Sequence, residues 1–257
     1  MRWVKAVVLA FSTYTRFPVP QIKWDDDAIK LSIAFLPIIG AVIGCFIWGW
    51  QYLCAAANFS PVFFAAVAAA VPVLITGGIH MDGFCDTCDA LASWQSSERR
   101  LEIMKDPHIG AFALIRYVIY ILIYFALLYE LQIRGISAGI AFLYPLPRLF
   151  AAWSAMLLPN ARKGGMLAAF TENADRRKVC AVLAVFTFIA VFCWVWFTLP
   201  YGIAALALTL PVAFWYRHTA LKYFGGVTGD TTGFYLQICE LTLLAGLLLG
   251  EAVTVWL

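Results

Sequence analysis

Charge is scarce in this sequence. Asp, Glu, Lys and Arg together make up 13% of its 257 residues, and the net charge at pH 7 is only +3. A charge this small gives no indication of a nucleic-acid partner. Hydrophobic residues account for 63% of the chain and its mean hydropathy is +0.83, which is too apolar for a soluble domain. Several apolar runs exceed the roughly 18–20 residues that cross a bilayer, so the chain is predicted to contact lipid.

Other familiar signals are also missing. The chain has seven cysteines, but four lie inside apolar runs, which is typical of small hydrophobic residues and not of a disulfide framework. No small-residue cleavage site follows the first short apolar run, so no cleavable signal peptide is predicted. There is no internal repeat and no sign of a second domain. We therefore predict that residues 1–257 form a single integral membrane domain.

The apolar runs predict an all-α fold. We expect a polytopic integral membrane helical bundle of about seven spans, with a short interfacial or half-inserted helix at the N-terminus, over residues 3–15. The predicted spans are residues 31–57, 61–76, 111–131, 136–158, 179–199, a sixth that ends near residue 223, and 234–257. Arg148 lies near the middle of the fourth span. Because a charge at that depth costs about 2.5–3.5 kcal/mol, Arg148 should face the bundle interior, with Glu240 as one possible partner.

The basic residues are concentrated in alternate loops. Thirteen of the 18 Lys and Arg residues fall in four loops, at residues 16–30, 80–110, 160–178 and 217–231. Only Arg134 falls in the alternate connections, near residues 57–61, 132–135 and 199–202. Under the positive-inside rule the four charged loops are cytoplasmic. A site formed by these loops would therefore face the cytoplasm.

The longest polar interruption of the chain runs from residue 77 to residue 110. If it is helical, the i, i+4, i+7 spacing of Asp82, Asp86 and Asp89 puts their carboxylates on one narrow face. Like charges stacked in this way repel each other. A divalent cation removes the repulsion, and Mg²⁺ in particular binds a few carboxylates together with the phosphate oxygens of a substrate. The pattern predicts either a Mg²⁺ site or a solvated acidic helix end.

Three further features allow more than one interpretation. Cys85 and Cys88, with two histidines nearby, suggest zinc, but the spacing to the histidines is irregular and both cysteines lie off the aspartate face. The charged segment 98–106 is either a salt-bridged surface helix or a source of Arg and Lys for binding phosphates. The Gly-rich loop 225–233 lacks the lysine of a P-loop, although its glycines allow backbone N–H groups to approach phosphate.

Four segments carry a resemblance to a known family. They are GGIHMDGFCDTCDAL at residues 77–91, ERRLEIMKDPHIGAFA at 98–113, TRFPVP at 15–20 and GGVTGDTTGF at 225–234. With them the chain resembles, over nearly its full length, the cobalamin synthase family of adenosylcobinamide-GDP ribazoletransferases, enzymes of the bacterial cytoplasmic (inner) membrane. The departures are mild. Cys85 and Cys88 stand where the family commonly has alanine, which further weakens the zinc interpretation, and Ala90 stands where glycine is usual.

The resemblance implies a Mg²⁺-dependent phosphotransfer that completes the nucleotide loop of vitamin B12. The ribose 3′-hydroxyl of α-ribazole, or of its 5′-phosphate, would attack the cobinamide-side phosphorus of adenosylcobinamide-GDP. The products would be adenosylcobalamin, or its 5′-phosphate, and GMP. In-line transfer between oxygen atoms depends mainly on positioning and on neutralising phosphate charge. The number of subunits stays open, with a homo-oligomer as one option.

The resemblance also implies roles for individual residues. Asp82, Asp86 and Asp89 are predicted as Mg²⁺ ligands or, for one of them, as the base that takes the hydroxyl proton. His80 would act as a base or orient a carboxylate. Asp230 would be a further metal ligand or contact the ribose or guanine. The predicted substrate contacts are Arg16, Arg99, Arg100, Lys105, Asp106, His108, Thr228 and Asp230, which would bring the acidic stretch and the Gly-rich loop into one site.

Two other functions stay open at this point. A CDP-alcohol phosphotransferase-like lipid enzyme also places aspartates and Mg²⁺ at a membrane face, but the order DGFCDTCDA fits its aspartate pattern poorly. A membrane transporter would use Arg148 and Glu240 along a translocation path. Against a transporter, the ionisable residues are concentrated at one membrane face and not at the midplane.

Overall fold

The fold is built from helices. The computed structural model describes residues 2–22, 25–172 and 174–256. The α-helices are α1 (Arg2–Tyr14), α2 (Asp26–Ser32), α3 (Leu36–Ala56), α4 (Pro61–Thr76), α5 (Ile79–Ala92), α6 (Ser97–Ile103), α7 (Ala111–Ile133), α8 (Pro145–Leu157), α9 (Met166–Thr171), α10 (Arg176–Thr198), α11 (Tyr201–Phe224) and α12 (Gly229–Trp256). Short 3₁₀ segments cover Ile33–Phe35 and Ser137–Phe142. Within the described ranges there is no strand, so the all-α prediction is confirmed.

The helices include several that fit a membrane. In the described part of the chain, 5 helical stretches are long and apolar enough to cross it: Asp26–Ala56, Ala111–Ile133, Gly139–Leu157, Arg176–Thr198 and Gly229–Val253. A sixth exists only if α4 and α5, which meet at 93°, are counted as one bent span. The polytopic helical bundle is confirmed, with 5 to 6 candidate spans among the described residues against the predicted count of about seven. Helix α11, the sixth predicted span, is not among these stretches, and Arg217, His218 and Lys222 lie in its C-terminal third.

The fourth predicted span is not one continuous helix. Its first part is the 3₁₀ segment Ser137–Phe142, and the α-helix begins only at Pro145. Pro145 and Pro147 carry no N–H, so they fit the first turn of a helix and not its interior. Glycines of α3 pack here, because a Cβ at Gly40 or Gly44 would overlap the backbone of residues 141–145.

A buried ion pair joins α8 to α12. The Arg148 guanidinium donates to the Glu240 carboxylate, and the two side chains are 0% and 1% exposed. Tyr124 of α7 donates its hydroxyl to the other Glu240 oxygen at 3.2 Å. The prediction that Arg148 faces the interior and pairs with Glu240 is therefore confirmed. The pair holds three helices together in the centre of the bundle.

Loop contacts gather the charged segments at one end of the bundle. Arg162 donates to the Leu101 carbonyl at 2.5 Å and lies 3.8 Å from the Asp230 carboxylate. The loop that follows α8 also pairs with the Gly-rich loop, since the Ala161 N–H donates to the Val227 carbonyl at 2.9 Å. At the other end Arg134 pairs with a C-terminal glutamate of α12. The charged loops are thus neighbours, as their alternation along the chain predicted.

Candidate active site

A two-glycine turn sets the direction of α5. Gly77 and Gly78 have φ values of +63° and +82°, in the left-handed region that side chains other than glycine rarely adopt. The Gly78 N–H donates to the Val73 carbonyl at 2.9 Å and closes the end of α4. Here the chain bends by 93° into α5. The bend carries the acidic face of α5 to the charged end of the bundle.

Arg16 belongs to this turn. Its backbone N–H donates to the Ile75 carbonyl at 2.8 Å. Its side chain crosses directly over Gly77, where an added Cβ would lie 2.8 Å from Arg16 Cγ. Glycine at position 77 therefore supplies both the left-handed conformation and the room for the arginine.

A cleft of about 860 Å³ opens beside the turn. Its walls are the end of α1, the glycine turn, one face of α5 and the segment 104–109 that follows α6. The cleft brings together six of the residues predicted from the sequence: Arg16, Asp82, Asp86, Lys105, Asp106 and His108. Asp106 and His108 also contact each other, with 2.7 Å between Asp106 Oδ1 and His108 Nδ1. A large, polar concave surface with carboxylates and cations suits a charged substrate.

The start of α12 packs against α5 without side chains in between. A Cβ at Gly83 would lie 2.7 Å from Asp230 Cα, and a Cβ at Gly233 would lie 3.1 Å from the His80 carbonyl oxygen. Glycine on both helices thus lets the two backbones touch. This crossing places Asp230 of the Gly-rich loop beside the aspartates of α5, although about 140 residues of a folded chain lie between them.

The aspartates of the site interact electrostatically, and this interaction shifts the pKa of Asp86. Helix α5 lies outside the five spanning stretches. Burial, followed by the charges of Asp82, Asp230 and Asp89, raises the pKa of Asp86 to about 7. Neither the Asp82 carboxylate nor the Asp86 carboxylate makes a hydrogen bond or an ion pair within the described part of the chain. The unpartnered carboxylates of Asp82 and Asp86, with the Asp230 carboxylate close by, create a site that favours a cation.

Arg162 was missed by the sequence analysis. Besides contacting Leu101 and Asp230, it carries a buried Nε that has no partner among the described residues. Its positive charge opposes the rise in the pKa of Asp86. The loop that carries it is fixed by the bridge between Asn160 and Val227. Because this long-range bridge brings Arg162 to the acidic residues, no local sequence pattern could have found it.

Asp89 differs from its two neighbours on the acidic face. Its carboxylate oxygens accept from the backbone N–H groups of Gly110, at 2.6 Å, and Ala113, at 2.8 Å. Gly110 immediately precedes α7 and Ala113 lies in its first turn, where N–H groups lack helical partners. Asp89 therefore caps α7. Its role as a metal ligand stays a prediction.

His80 and Thr228 are buried. His80 is 7% exposed, stacks on Tyr14 at 6.1 Å between ring centroids, and has no partner for Nε2 among the described residues. It lines a small cavity of about 50 Å³, which Asp230 also borders, and not the large cleft. Thr228 exchanges hydrogen bonds with Thr231: each backbone N–H donates to the other hydroxyl, at 2.8 and 3.1 Å. This arrangement caps α12, so the catalytic and substrate-binding roles predicted for the two residues remain predictions.

Arg99 and Arg100 do not line the cleft. Arg99 is exposed and pairs with Glu102 at 2.6 Å. Arg100 is buried, donates to the Gln95 carbonyl at 2.9 Å, and places its guanidinium 4.6 Å from the centre of the Tyr223 ring. Helix α6 is thus partly a salt-bridged surface helix, and Arg100 attaches it to α11. Their predicted contact with pyrophosphate stays a prediction.

The donor set fits Mg²⁺. Among the described residues no group of three or more His, Cys, Asp or Glu side chains is close enough to bind a metal ion by itself. Mg²⁺ does not need such a group, because it usually binds one or two carboxylates and completes its shell with water and substrate phosphates. Asp82 and Asp86 offer oxygen ligands of that kind at the cleft wall. Cys85 and Cys88 are both buried.

The fold and the cleft define a class of protein. The chain is an integral membrane helical bundle. Its charged end carries a cleft that is lined by both aspartates and basic residues from separate segments of the sequence. A sequence model of the cobalamin-5-phosphate synthase family matches residues 6–248. The chain therefore belongs to that family.

Individual relatives agree with this assignment. The chain is 35% identical over 256 residues to adenosylcobinamide-GDP ribazoletransferase of Lachnoclostridium phytofermentans, with 100% of this chain and 98% of the relative covered. It is 33% identical over 220 residues to the enzyme of that name from Pseudomonas putida KT2440, covering 85% and 88%. No solved structure matches the chain. These similarities do not favour a CDP-alcohol phosphotransferase-like enzyme.

Proposed function

We propose that this chain is a Mg²⁺-dependent adenosylcobinamide-GDP ribazoletransferase. The supporting observation is the family match over residues 6–248, because the end of α1, the glycine turn, α5 and residues 104–109, which line the acidic cleft, all fall within it. The substrates are adenosylcobinamide-GDP and α-ribazole or its 5′-phosphate. The relatives named above carry the name of this reaction.

The transfer exchanges one phosphate–oxygen bond for another. The ribose 3′-hydroxyl attacks the cobinamide-side phosphorus, the bond from that phosphorus to the bridging oxygen breaks, and GMP leaves. The hydroxyl proton passes to a carboxylate of the cleft, Asp82 or Asp86, which carry no competing hydrogen bond to any described residue. Mg²⁺ held by Asp82 and Asp86, with substrate phosphate oxygens completing its shell, would neutralise charge on the pyrophosphate; Asp230 stays a predicted further ligand.

The basic residues around the aspartates complete the site. Lys105 and Arg16 line the cleft, and Arg162 lies beside Asp230. Guanidinium and ammonium groups stabilise the charge that develops on transferring phosphoryl oxygens. We therefore assign pyrophosphate binding to these three residues. Asp106 and His108, which also line the cleft and are exposed, would contact the more distant parts of a long substrate.

The charged end of the bundle is proposed to face the cytoplasm of a bacterial cell. The proposal is supported by the concentration of Lys and Arg in the loops of that end, following the positive-inside rule. Nucleotide substrates are made inside the cell and would enter the cleft directly.

An assay of GMP release tests the function. Purified protein in liposomes is incubated with adenosylcobinamide-GDP, α-ribazole and Mg²⁺, and GMP is quantified; a parallel reaction uses α-ribazole 5′-phosphate. GMP should form only when both substrates and Mg²⁺ are present. An unaccompanied flux of labelled corrinoid across the liposome membrane, with no GMP, would instead support a transporter.

A further inference from the structure

We propose that Asp89 is a positioning residue that fixes one wall of the cleft, and that it is not among the carboxylates that hold the divalent cation. The proposal rests on the proposed function for the cation and the substrate. The contacts of Asp89 are seen in the structure and do not depend on that function. Asp82, Asp86 and Asp89 share one helical face. Among the described residues, only the Asp89 carboxylate of these three accepts hydrogen bonds from backbone N–H groups at the start of another helix.

Both carboxylate oxygens of Asp89 are in use. One accepts from the Gly110 N–H at 2.6 Å and the other from the Ala113 N–H at 2.8 Å. Turning this carboxylate toward a metal would leave two N–H groups at the start of α7 without acceptors, which is unfavourable for a group shielded from water. A negative charge at this position also interacts favourably with the helix dipole. The carboxylate is therefore held in place by α7.

Gly110 is matched to this arrangement. A Cβ at position 110 would lie 2.6 Å from each Asp89 oxygen, so any larger residue would displace the carboxylate. A second tie lies one turn further along, where Arg116 of α7 donates to the Cys88 carbonyl at 2.8 Å. The end of α5 and the start of α7 are thus bound together at two points.

The segment held by this tie forms the cleft wall. Residues 104–109 lie immediately before Gly110, and they contribute Lys105, Asp106 and His108 to the cleft. The position of that wall relative to Asp82 and Asp86 is set by the contact between Asp89 and α7. Losing it should move Lys105 away from the substrate, and a displacement of about 1 Å in a positioning group costs on the order of 10²-fold in rate.

Three variants separate positioning from metal binding. Asp89→Asn keeps one accepting oxygen, and so one of the two contacts with α7, but loses the charge that a metal requires; Asp89→Ala loses both contacts and the charge. Asp86→Asn is the matched control on the same face. We expect Asp89→Asn to retain most GMP release and to bind Mn²⁺, followed by electron paramagnetic resonance without substrate, as the unaltered protein does. Asp89→Ala should lose on the order of 10²-fold in rate with a raised KM for adenosylcobinamide-GDP.

A second readout does not depend on activity. Trypsin should cut after the exposed Lys105 faster in Asp89→Ala and Gly110→Ala than in Asp89→Asn, because Asp89→Asn still keeps one of the two contacts that hold this segment. Equal cleavage rates in all three would overturn the proposal. So would an Asp89→Asn variant that loses Mn²⁺ binding and GMP release as fully as Asp86→Asn. If the unaltered protein releases no GMP, the proposed function fails, and the cleavage rates still decide the role of Asp89.

Discussion

Asp86 lies on the cleft wall with no hydrogen-bond partner in the described chain, and burial together with neighbouring carboxylates raises its pKa to about 7. We expect Asp86→Asn to abolish GMP release even at saturating Mg²⁺. Its amide cannot replace a charged ligand or a base. The variant should insert and purify normally, because removing a charge from a repelling group does not weaken the fold. Near-normal turnover would contradict the role assigned to Asp86.

Arg162 offers a test of phosphate binding with a close control. Arg162→Ala should lower GMP release by on the order of 10²-fold, the scale for losing one charge-stabilising group. Arg99→Ala should remain close to the unaltered rate, since Arg99 is exposed and pairs with Glu102 away from the cleft. Steady-state kinetics of both variants make the comparison. Equal losses, or none in Arg162→Ala, would remove Arg162 from the site.

At the scale of helices, the crossing of α5 and α12 determines where Asp230 stands. A Cβ at Gly83 would lie 2.7 Å from Asp230 Cα, so Gly83→Ala must push the two backbones apart. We expect a loss of about 1–3 kcal/mol in stability from overpacking, together with a strong loss of GMP release. Thermal unfolding in detergent and the GMP assay measure the two effects.

Gly49→Ala of α3 is the control for this variant. A Cβ there would meet nothing within 4 Å. It should therefore leave activity unchanged and raise stability slightly, because alanine favours a helix over glycine by about 1 kcal/mol. If Gly83→Ala behaved in the same way, close backbone contact would not be what positions Asp230.

The same pair of helices shows how much of the site could be predicted from the sequence. The acidic stripe on α5 follows from helical spacing alone, so Asp82 and Asp86 could be selected as candidates from their positions in the chain. The separate role of Asp89 could not, because its partners lie 21 and 24 residues away and are backbone N–H groups, which leave no mark on side-chain pattern. Arg162 could not be predicted as a site residue for a similar reason, because the loop pairing that positions it joins distant parts of the sequence.

At the scale of the whole molecule, the pair of Arg148 and Glu240 links the bundle's centre. Both side chains are essentially unexposed. Glu240→Gln leaves a buried guanidinium without its counter-charge, and breaking such a pair costs about 3–5 kcal/mol. We therefore expect a large fall in thermal stability in detergent. The double variant Arg148→Met with Glu240→Leu should recover much of it, whereas a purely functional pair would leave the melting temperature of Glu240→Gln unchanged.

The orientation of the bundle can be tested with introduced cysteines. Native Cys85 and Cys88 are only 8% and 1% exposed, so they would label poorly. In a variant without native cysteines, Glu98→Cys at the charged end should react with a membrane-impermeant thiol reagent only after permeabilisation. Ala57→Cys, in the opposite connection, should react in intact cells. The reverse pattern would overturn the proposed cytoplasmic site.

The glycine contact between α5 and α12 has a consequence for how the sequence of this protein can vary during evolution. At Gly83 and Gly233 the distance between the aspartates of α5 and Asp230 is set by main chain against main chain. Where side chains separate two helices, the spacing of the helices depends on side-chain volume, so each substitution there shifts it slightly. The acidic site does not shift in this way. Lipid-facing and core residues of these two helices can be substituted, while the distance between the charged groups keeps the value that two touching backbones allow.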